Sequence, residues 1–146
     1  MCSAPCLHLL DYGPDAGSVE LHTDASDKAL SGVLFQKVNG VNRPVAFYSR
    51  RFNAAEENYS ATDHELLAII ASLKHFRHYV SGLQFTVLTD HQPLTYFFSQ
   101  ANLNKRQIRW LETLAEFMPG VAIRYQAGKI NIPADLLSRR PDYEKA

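Results

Sequence analysis

The chain has 146 residues, of which 46% are hydrophobic, and its 15 Lys and Arg residues balance 15 Asp and Glu residues. This length suits one globular domain with a sizeable core and leaves no room for a second domain. The balanced charge excludes a uniformly basic surface, but it is compatible with local basic surface beside an acidic centre that metal ions neutralise.

Residues 1–17 lack a sustained hydrophobic period and are rich in turn formers, which predicts a linker-like N-terminal segment. It contains both cysteines, Cys2 and Cys6, so we expect neither a disulfide framework nor a structural zinc site. The segment lacks the features of a signal peptide, and no apolar run approaches the about 20 residues that span a membrane. We therefore expect no membrane partner and a cytoplasmic, reducing location.

Three strands are predicted next. Polar and apolar residues alternate from Val19 to Asp24, so the first strand ends on that aspartate. The segments SGVLFQKV and RPVAFYSR flank Asn39-Gly40, a strong signal for a hairpin turn. The three strands therefore form an antiparallel meander.

The strongest helical pattern runs from about Thr62 to Val80, where apolar residues recur at i, i+3, i+4 and i+7. Thr62 and Glu65 have the spacing of a capping box, and Gly82 can close the far end. A fourth strand follows and ends on Asp90.

Pro93 then opens a short predicted helix. A second long helix is predicted from roughly Lys105 to Met118, with a core stripe of Ile108, Leu111, Leu114 or Ala115, and Met118. A fifth strand over Val121–Tyr125 and a last short helix in IPADLLSRR complete a domain over residues 18–140, and residues 141–146 form a tail.

Four acidic residues lie where one predicted element gives way to the next: Asp24, Glu65, Asp90 and Asp135. Thr23-Asp24 and Thr89-Asp90 both end apolar strands, and a crossover helix between parallel strands would bring both carboxylates to one sheet edge. Crowded carboxylates repel unless a cation intervenes, and hard oxygen ligands suit Mg²⁺. The placement therefore indicates a divalent metal site.

Each of the four also has an ordinary structural explanation. Glu65, as the third residue of a capping box, would return a hydrogen bond to the backbone of Thr62. Asp24 and Asp90 can be turn residues at strand ends, and a carboxylate such as Asp135 is favoured near a helix N-terminus. Only their joint placement favours a shared site.

A family resemblance rests on five segments: TDASD with the following GVLFQ, RPVAFYSRRFNAAEENYSATDHELLAII, LKHFRHYVSGLQFTVLTDHQPLTYFF, RQIRWLETLAEF and IRYQAGKINIPADLLSR. In this order they resemble the ribonuclease H domain of gypsy-type LTR retrotransposon polyproteins, over roughly residues 7 to 140. The resemblance implies an α/β, three-layer ribonuclease H-like fold with flanking helices. Its five-stranded mixed sheet would have the order 3-2-1-4-5, with the second strand antiparallel to the rest. It also implies a preceding reverse transcriptase domain and a location within a retrotransposon particle.

The same resemblance carries the family's four metal-binding carboxylates onto Asp24, Glu65, Asp90 and Asp135, which would hold two Mg²⁺ ions, with Mn²⁺ as a substitute. It implies hydrolysis of the RNA strand of RNA/DNA hybrids during reverse transcription, by a two-metal-ion mechanism that leaves 5′-phosphate and 3′-hydroxyl ends. Cellular and retroviral ribonucleases H often have a His in the loop before the last Asp. The segment QAGKINIPA has none, which predicts slower or more manganese-dependent turnover.

Six residues are candidates for contacts to the hybrid: Ser26, Thr62, His91, Lys105, Arg106 and Arg109. The three basic residues open the second long helix and can grip a phosphate backbone, although a solvated helix face explains them equally well. His91 can reach a phosphate or cap the helix that follows it. His75 and His78 are more simply explained as helix-surface residues than as metal ligands.

Two other functions remain open. The domain can be a catalytically weak or inactive ribonuclease H-like module that binds nucleic acid within a polyprotein, but the intact carboxylate set argues against this. The second alternative is a DDE-type transposase or integrase core, which also binds divalent metal through carboxylates but joins DNA ends. Glu65 on the first long helix and Asp135 near a C-terminal helix fit a ribonuclease better.

Overall fold

The computed structural model describes residue 7 and residues 9–91, 102–118 and 120–125. In this part of the chain the strands are β1 (Val19–Ala25), β2 (Ala29–Val38), β3 (Val41–Arg51), β4 (Phe85–Thr89) and β5 (Val121–Tyr125). The helices are α1 (Ala54–Glu57), α2 (Ala61–His75), α3 (Arg77–Val80) and α4 (Lys105–Ala115). None of these described helices has the length and apolar character that crossing a membrane requires.

The five strands form one mixed sheet in the order β3-β2-β1-β4-β5. The β2 strand runs antiparallel to both of its neighbours, whereas β1, β4 and β5 are parallel to one another. Asn39 and Gly40 form the turn between β2 and β3, with φ angles of 53° and 80°. Both angles suit the two-residue turn whose twist matches that of a hairpin. The sheet order and the antiparallel second strand are therefore confirmed.

The core lies between the sheet and α2, and α4 packs against α2. Gly32 in β2 permits the close approach of α2, because a Cβ at this position would lie 2.3 Å from the Oγ atom of Ser72. The helix is buried along most of its length. The main contributors to this core are Leu21, Leu34, Leu66, Ile69, Ile70, Leu73, Phe76, Val87 and Leu114.

The predicted capping box at the start of α2 is wrong. Ser60 is the N-cap, and its side chain accepts a 3.1 Å hydrogen bond from the backbone N–H of Asp63. The helix therefore begins earlier than predicted, and Glu65 lies in its second turn rather than at the third position. Since Glu65 does not close the cap, the structural explanation for that residue no longer holds.

Both long helices are shorter than predicted. Phe76, with φ −93° and ψ 13°, interrupts the first of them, so α2 and α3 replace a single helix over Thr62–Val80. The second ends at Ala115, and its predicted core stripe is partly wrong because Ile108 and Met118 are 46% and 56% exposed. The predicted Leu111 and Leu114 do meet the core, together with Trp110 and with Phe117 beyond the helix.

Part of the predicted linker-like segment contacts the domain. The side chain of buried Gln36 accepts a 2.9 Å hydrogen bond from the backbone N–H of Asp11 and donates a 2.8 Å bond to its carbonyl. The hydroxyl of Tyr12 donates a 2.8 Å hydrogen bond to the carbonyl of Tyr79. The short helices predicted at Pro93 and in IPADLLSRR lie outside the described residues.

Candidate metal centre

Three carboxylates from three different elements meet at one edge of the sheet. Asp24 is the penultimate residue of β1, and Asp90 directly follows β4. The parallel register pairs His22 with Leu88, so Asp24 and Asp90 lie level, each two residues further on. Glu65 reaches the same edge from α2, and one carboxylate oxygen of each acid lies within 4.8 Å of the other two.

The donor set fits a hard divalent cation. Asp24 and Glu65 are only 2% and 7% exposed, and Asp90 is half-buried. Ionised carboxylates that are crowded together in a buried place repel one another, and a cation removes this cost. Because the donors are all carboxylate oxygens, Mg²⁺ or Mn²⁺ suits them better than a softer metal. Asp135, the fourth predicted ligand, lies outside the described residues and stays a prediction.

A hydrogen-bonded turn holds the backbone around Asp90. The N–H of His91 donates to the hydroxyl of buried Thr89, at 3.2 Å, so the two neighbours of Asp90 are joined. The Nε2 atom of His91 lies 3.1 Å from the Oγ1 atom of Thr62, in the first turn of α2. Burial lowers the pKa of the His91 imidazole, and the charge of Asp90 offsets this shift only in part. Thr62 and His91, both predicted to contact the hybrid, therefore bind each other.

Ser26 closes the loop between β1 and β2, beside the three carboxylates. Its hydroxyl accepts hydrogen bonds from the backbone N–H groups of Lys28 and Ala29, both at 3.1 Å. A cavity of about 400 Å³ opens next to this loop, and its lining includes Ser26, Tyr59, His64 and Glu65. The predicted contact residue Ser26 thus shares one recess with a predicted metal ligand.

The three basic residues at the start of α4 have different surroundings. Lys105 and Arg109 are exposed. Arg106 instead donates a 2.6 Å hydrogen bond to Asp63, and its guanidinium carbon lies 3.9 Å from the ring centre of Tyr59. This guanidinium is held by a carboxylate and an aromatic face, so Lys105 and Arg109 are the more accessible candidates for phosphate contact.

Asp63 is the residue near the site that sequence reasoning missed. Its second carboxylate oxygen accepts a 2.9 Å hydrogen bond from Gln107, so both oxygens bind α4. One local signal was present: Ser60 precedes Asp63 by three residues, which is the spacing of a helix N-cap and its partner. The partners of Asp63 lie more than forty residues further along the chain, so no local pattern indicates them.

Comparisons with known proteins agree with this architecture. Residues 16–117 match the family model for the RNase H-like domain found in reverse transcriptase. The retrovirus-related Pol polyprotein from transposon 412 of Drosophila melanogaster is 44% identical over 131 residues, which are 90% of this chain and 10% of that protein. The chain thus spans about a tenth of the length of this curated relative.

Solved structures show the same fold at low sequence identity. RNase H1 from the halophilic archaeon Halobacterium salinarum has a TM-score of 0.59 at 20% identity, over 83% of this chain and 94% of that one. The foamy viral protease-reverse transcriptase in complex with RNA/DNA hybrid has a TM-score of 0.56 at 21% identity, over 75% of this chain and 15% of that one.

Proposed function

Because the chain belongs to the family of RNase H-like domains found in reverse transcriptase, of the kind carried by gypsy-type retrotransposon polyproteins, we propose that it is a metal-dependent endoribonuclease. Its substrate would be the RNA strand of an RNA/DNA hybrid. The observation that carries the proposal is the meeting of Asp24, Glu65 and Asp90, whose carboxylate oxygens lie within 4.8 Å of one another. Carboxylates this close together repel one another when ionised, and a cation between them removes this cost.

Asp24, Glu65 and Asp90 would hold the cations, and Asp135 would complete the set. When bound, two divalent cations would supply an activated water for in-line attack on the phosphate and would stabilise the leaving 3′ oxygen. The two aspartates extend from adjacent strands of the sheet and Glu65 from a buried helix, so packing fixes the position of each donor. The expected products carry 5′-phosphate and 3′-hydroxyl ends.

Selection of a hybrid needs contacts to the backbones of both strands and to the 2′-hydroxyl of the RNA. The recess beside Glu65 and the exposed residues Lys105 and Arg109 are the candidate surfaces. The complex of the structurally similar foamy viral enzyme with an RNA/DNA hybrid supports this choice of substrate. Because curated relatives are much longer polyproteins, we also infer a reverse transcriptase domain as partner, and a retrotransposon particle as the location.

The test is cleavage of an end-labelled RNA/DNA hybrid in Mg²⁺ and in Mn²⁺, beside single-stranded RNA, double-stranded RNA and double-stranded DNA. We expect cutting of the hybrid RNA alone, and its loss in Asp24→Asn and Glu65→Gln. Asp15→Asn and Glu112→Gln remove exposed acids of the same two types and should cut normally. Binding of the hybrid without cleavage in either metal would support the inactive module instead. Joining of DNA ends would support the transposase class.

A further inference from the structure

A side-chain hydrogen bond joins the two elements that carry Glu65 and Asp90. It connects the Oγ1 atom of Thr62 in α2 with the Nε2 atom of His91 after β4, across 3.1 Å. Both side chains are half-buried, which protects the bond from competition with water. The contact also crosses 29 residues of sequence, so it fixes a tertiary arrangement rather than a local turn.

Each partner of this bond is closely linked to one metal-binding candidate. Thr62 precedes Glu65 by three residues, and helical residues three apart lie on the same face. His91 directly follows Asp90, and its own N–H is bound to Thr89, so a shift of its ring would be transmitted to the turn that contains Asp90. The Thr62–His91 bond therefore spans the same gap as the Glu65 and Asp90 carboxylates.

Those two carboxylates need an external constraint. Two ionised acids at this separation repel each other when no cation lies between them, and the start of a helix and the end of a strand can move apart. A hydrogen bond from neighbouring residues opposes that movement. Side chains that orient ligands in this way typically alter metal affinity 10- to 100-fold when they are removed.

We propose that Thr62 and His91 are positioning residues, whose hydrogen bond holds Glu65 and Asp90 at the separation needed to bind a divalent cation. The inference rests on the proposed function in taking the three carboxylates as cation ligands. It differs from the sequence-based hypothesis that Thr62 and His91 contact the hybrid. A substrate contact would change the KM for the hybrid, whereas a positioning contact changes cation affinity when no nucleic acid is present.

The test is calorimetric titration of Mn²⁺ into the nucleic-acid-free protein, for wild type, Thr62→Val, His91→Phe and the double variant. We expect each single variant to bind Mn²⁺ about 10-fold more weakly. The double variant should be no weaker than either single one, because the two changes remove the same bond. Thr62→Ser keeps the hydroxyl and should bind within about twofold of wild type. Thr113→Val removes a hydroxyl from α4, outside the centre, and should have no effect.

Activity measurements separate this inference from the proposed function. In cleavage assays, Thr62→Val should raise the Mn²⁺ concentration that gives half-maximal rate and leave the KM for the hybrid unchanged. Unchanged Mn²⁺ affinity in both single variants, or weaker affinity in Thr62→Ser as well, would overturn the inference. Wild type that binds Mn²⁺ without cutting would refute the proposed function alone. Wild type that binds no Mn²⁺ in the absence of nucleic acid would overturn the inference, whereas the cleavage assay alone decides the proposed function. Melting curves in EDTA check that every variant is folded.

Discussion

Asp63 and Arg106 form a 2.6 Å ion pair between the first turn of α2 and the first turn of α4. The Asp63 side chain is 6% exposed, and Arg106 adds aromatic contacts to Tyr59 and Trp110, at 3.9 and 5.5 Å from the ring centres. A desolvated carboxylate is costly unless charge and hydrogen bonds compensate it. The pair therefore fixes α4, with its exposed basic residues, beside the helix that carries Glu65.

Arg106→Gln should destabilise the domain by about 2 kcal/mol, because it leaves the buried Asp63 carboxylate without its cation. This value lies below that of a fully buried pair since the Arg106 side chain is 31% exposed. Urea unfolding gives the measurement. Arg77→Gln is the matched control, because it removes an ion pair with Glu116 in which both side chains are about half exposed, and should cost about 0.5 kcal/mol or less. Equal losses in the two variants would contradict the assignment.

Lys105→Gln and Arg109→Gln should weaken binding of the hybrid and each reduce the salt slope of log affinity by about 0.7 to 0.9. Fluorescence anisotropy between 50 and 200 mM salt, in roughly the range where counterion release dominates, measures both effects. Exposed Lys37 on β2 provides the control variant, Lys37→Gln. An unchanged slope in both variants would show that these residues form a solvated helix face.

Asp24→Asn should raise the melting temperature in EDTA, because it removes one charge from a crowded and largely buried carboxylate group. A gain of about 1 kcal/mol corresponds to roughly 3 °C for a domain of this size. Added Mg²⁺ should stabilise the wild type by mass action and stabilise the variant less. Asp15→Asn serves as the control. A lower melting temperature for Asp24→Asn in EDTA would mean that Asp24 is a structural residue.

The Arg50–Glu56 pair should contribute to the acid sensitivity of folding. Arg50 donates two hydrogen bonds to the carboxylate of Glu56, at 2.8 and 3.1 Å, and thereby lowers the pKa of Glu56. A folded-state pKa below the unfolded value of about 4.3 gives stability that is complete above that value. This stability is lost as the pH falls through the lowered pKa.

Glu56→Gln should therefore have a lower free energy of unfolding than wild type at pH 7. This difference in unfolding free energy should disappear as the pH is lowered below the folded-state pKa of Glu56. Unfolding in urea from pH 7 to pH 3 measures the effect. The control variant is Glu57→Gln, which changes the exposed neighbouring acid. A difference that stays constant across this range would mean that lost packing or capping dominates, rather than the ion pair.

The meander and the two strand-end aspartates could be predicted because their signals are local, whereas the order of the whole sheet came from the family resemblance. Period-two alternation and Asn39-Gly40 define the meander, and the two Thr-Asp strand ends bring Asp24 and Asp90 to one edge. The start of α2 could not be predicted, because Ser60 and Thr62 both precede an acid by three residues. In the structure Ser60 is the N-cap, and the residues after it make tertiary contacts: Thr62 with His91, and Asp63 with α4.

The errors in the long helices have a related cause. The apolar period continues through Phe76, and this side chain is fully buried as that period predicts. The sequence does not indicate that the helix is interrupted at this residue. In α4, Ile108 fits an apolar stripe as well as Trp110 does. The side that packs against the domain contains Gln107, which donates a hydrogen bond to Asp63, and Trp110, which packs against the core.

Gly32 shows that the candidate metal centre depends on a residue with no polar side chain. Its missing Cβ leaves the space in which Ser72 rests, and this sets the height of α2 above the sheet. The distance from Glu65 to the two aspartates follows from that height. Transfer of the three acids to another scaffold would therefore reproduce the ligands without their spacing. The new scaffold would also need a strand residue without a Cβ where the helix packs against the sheet.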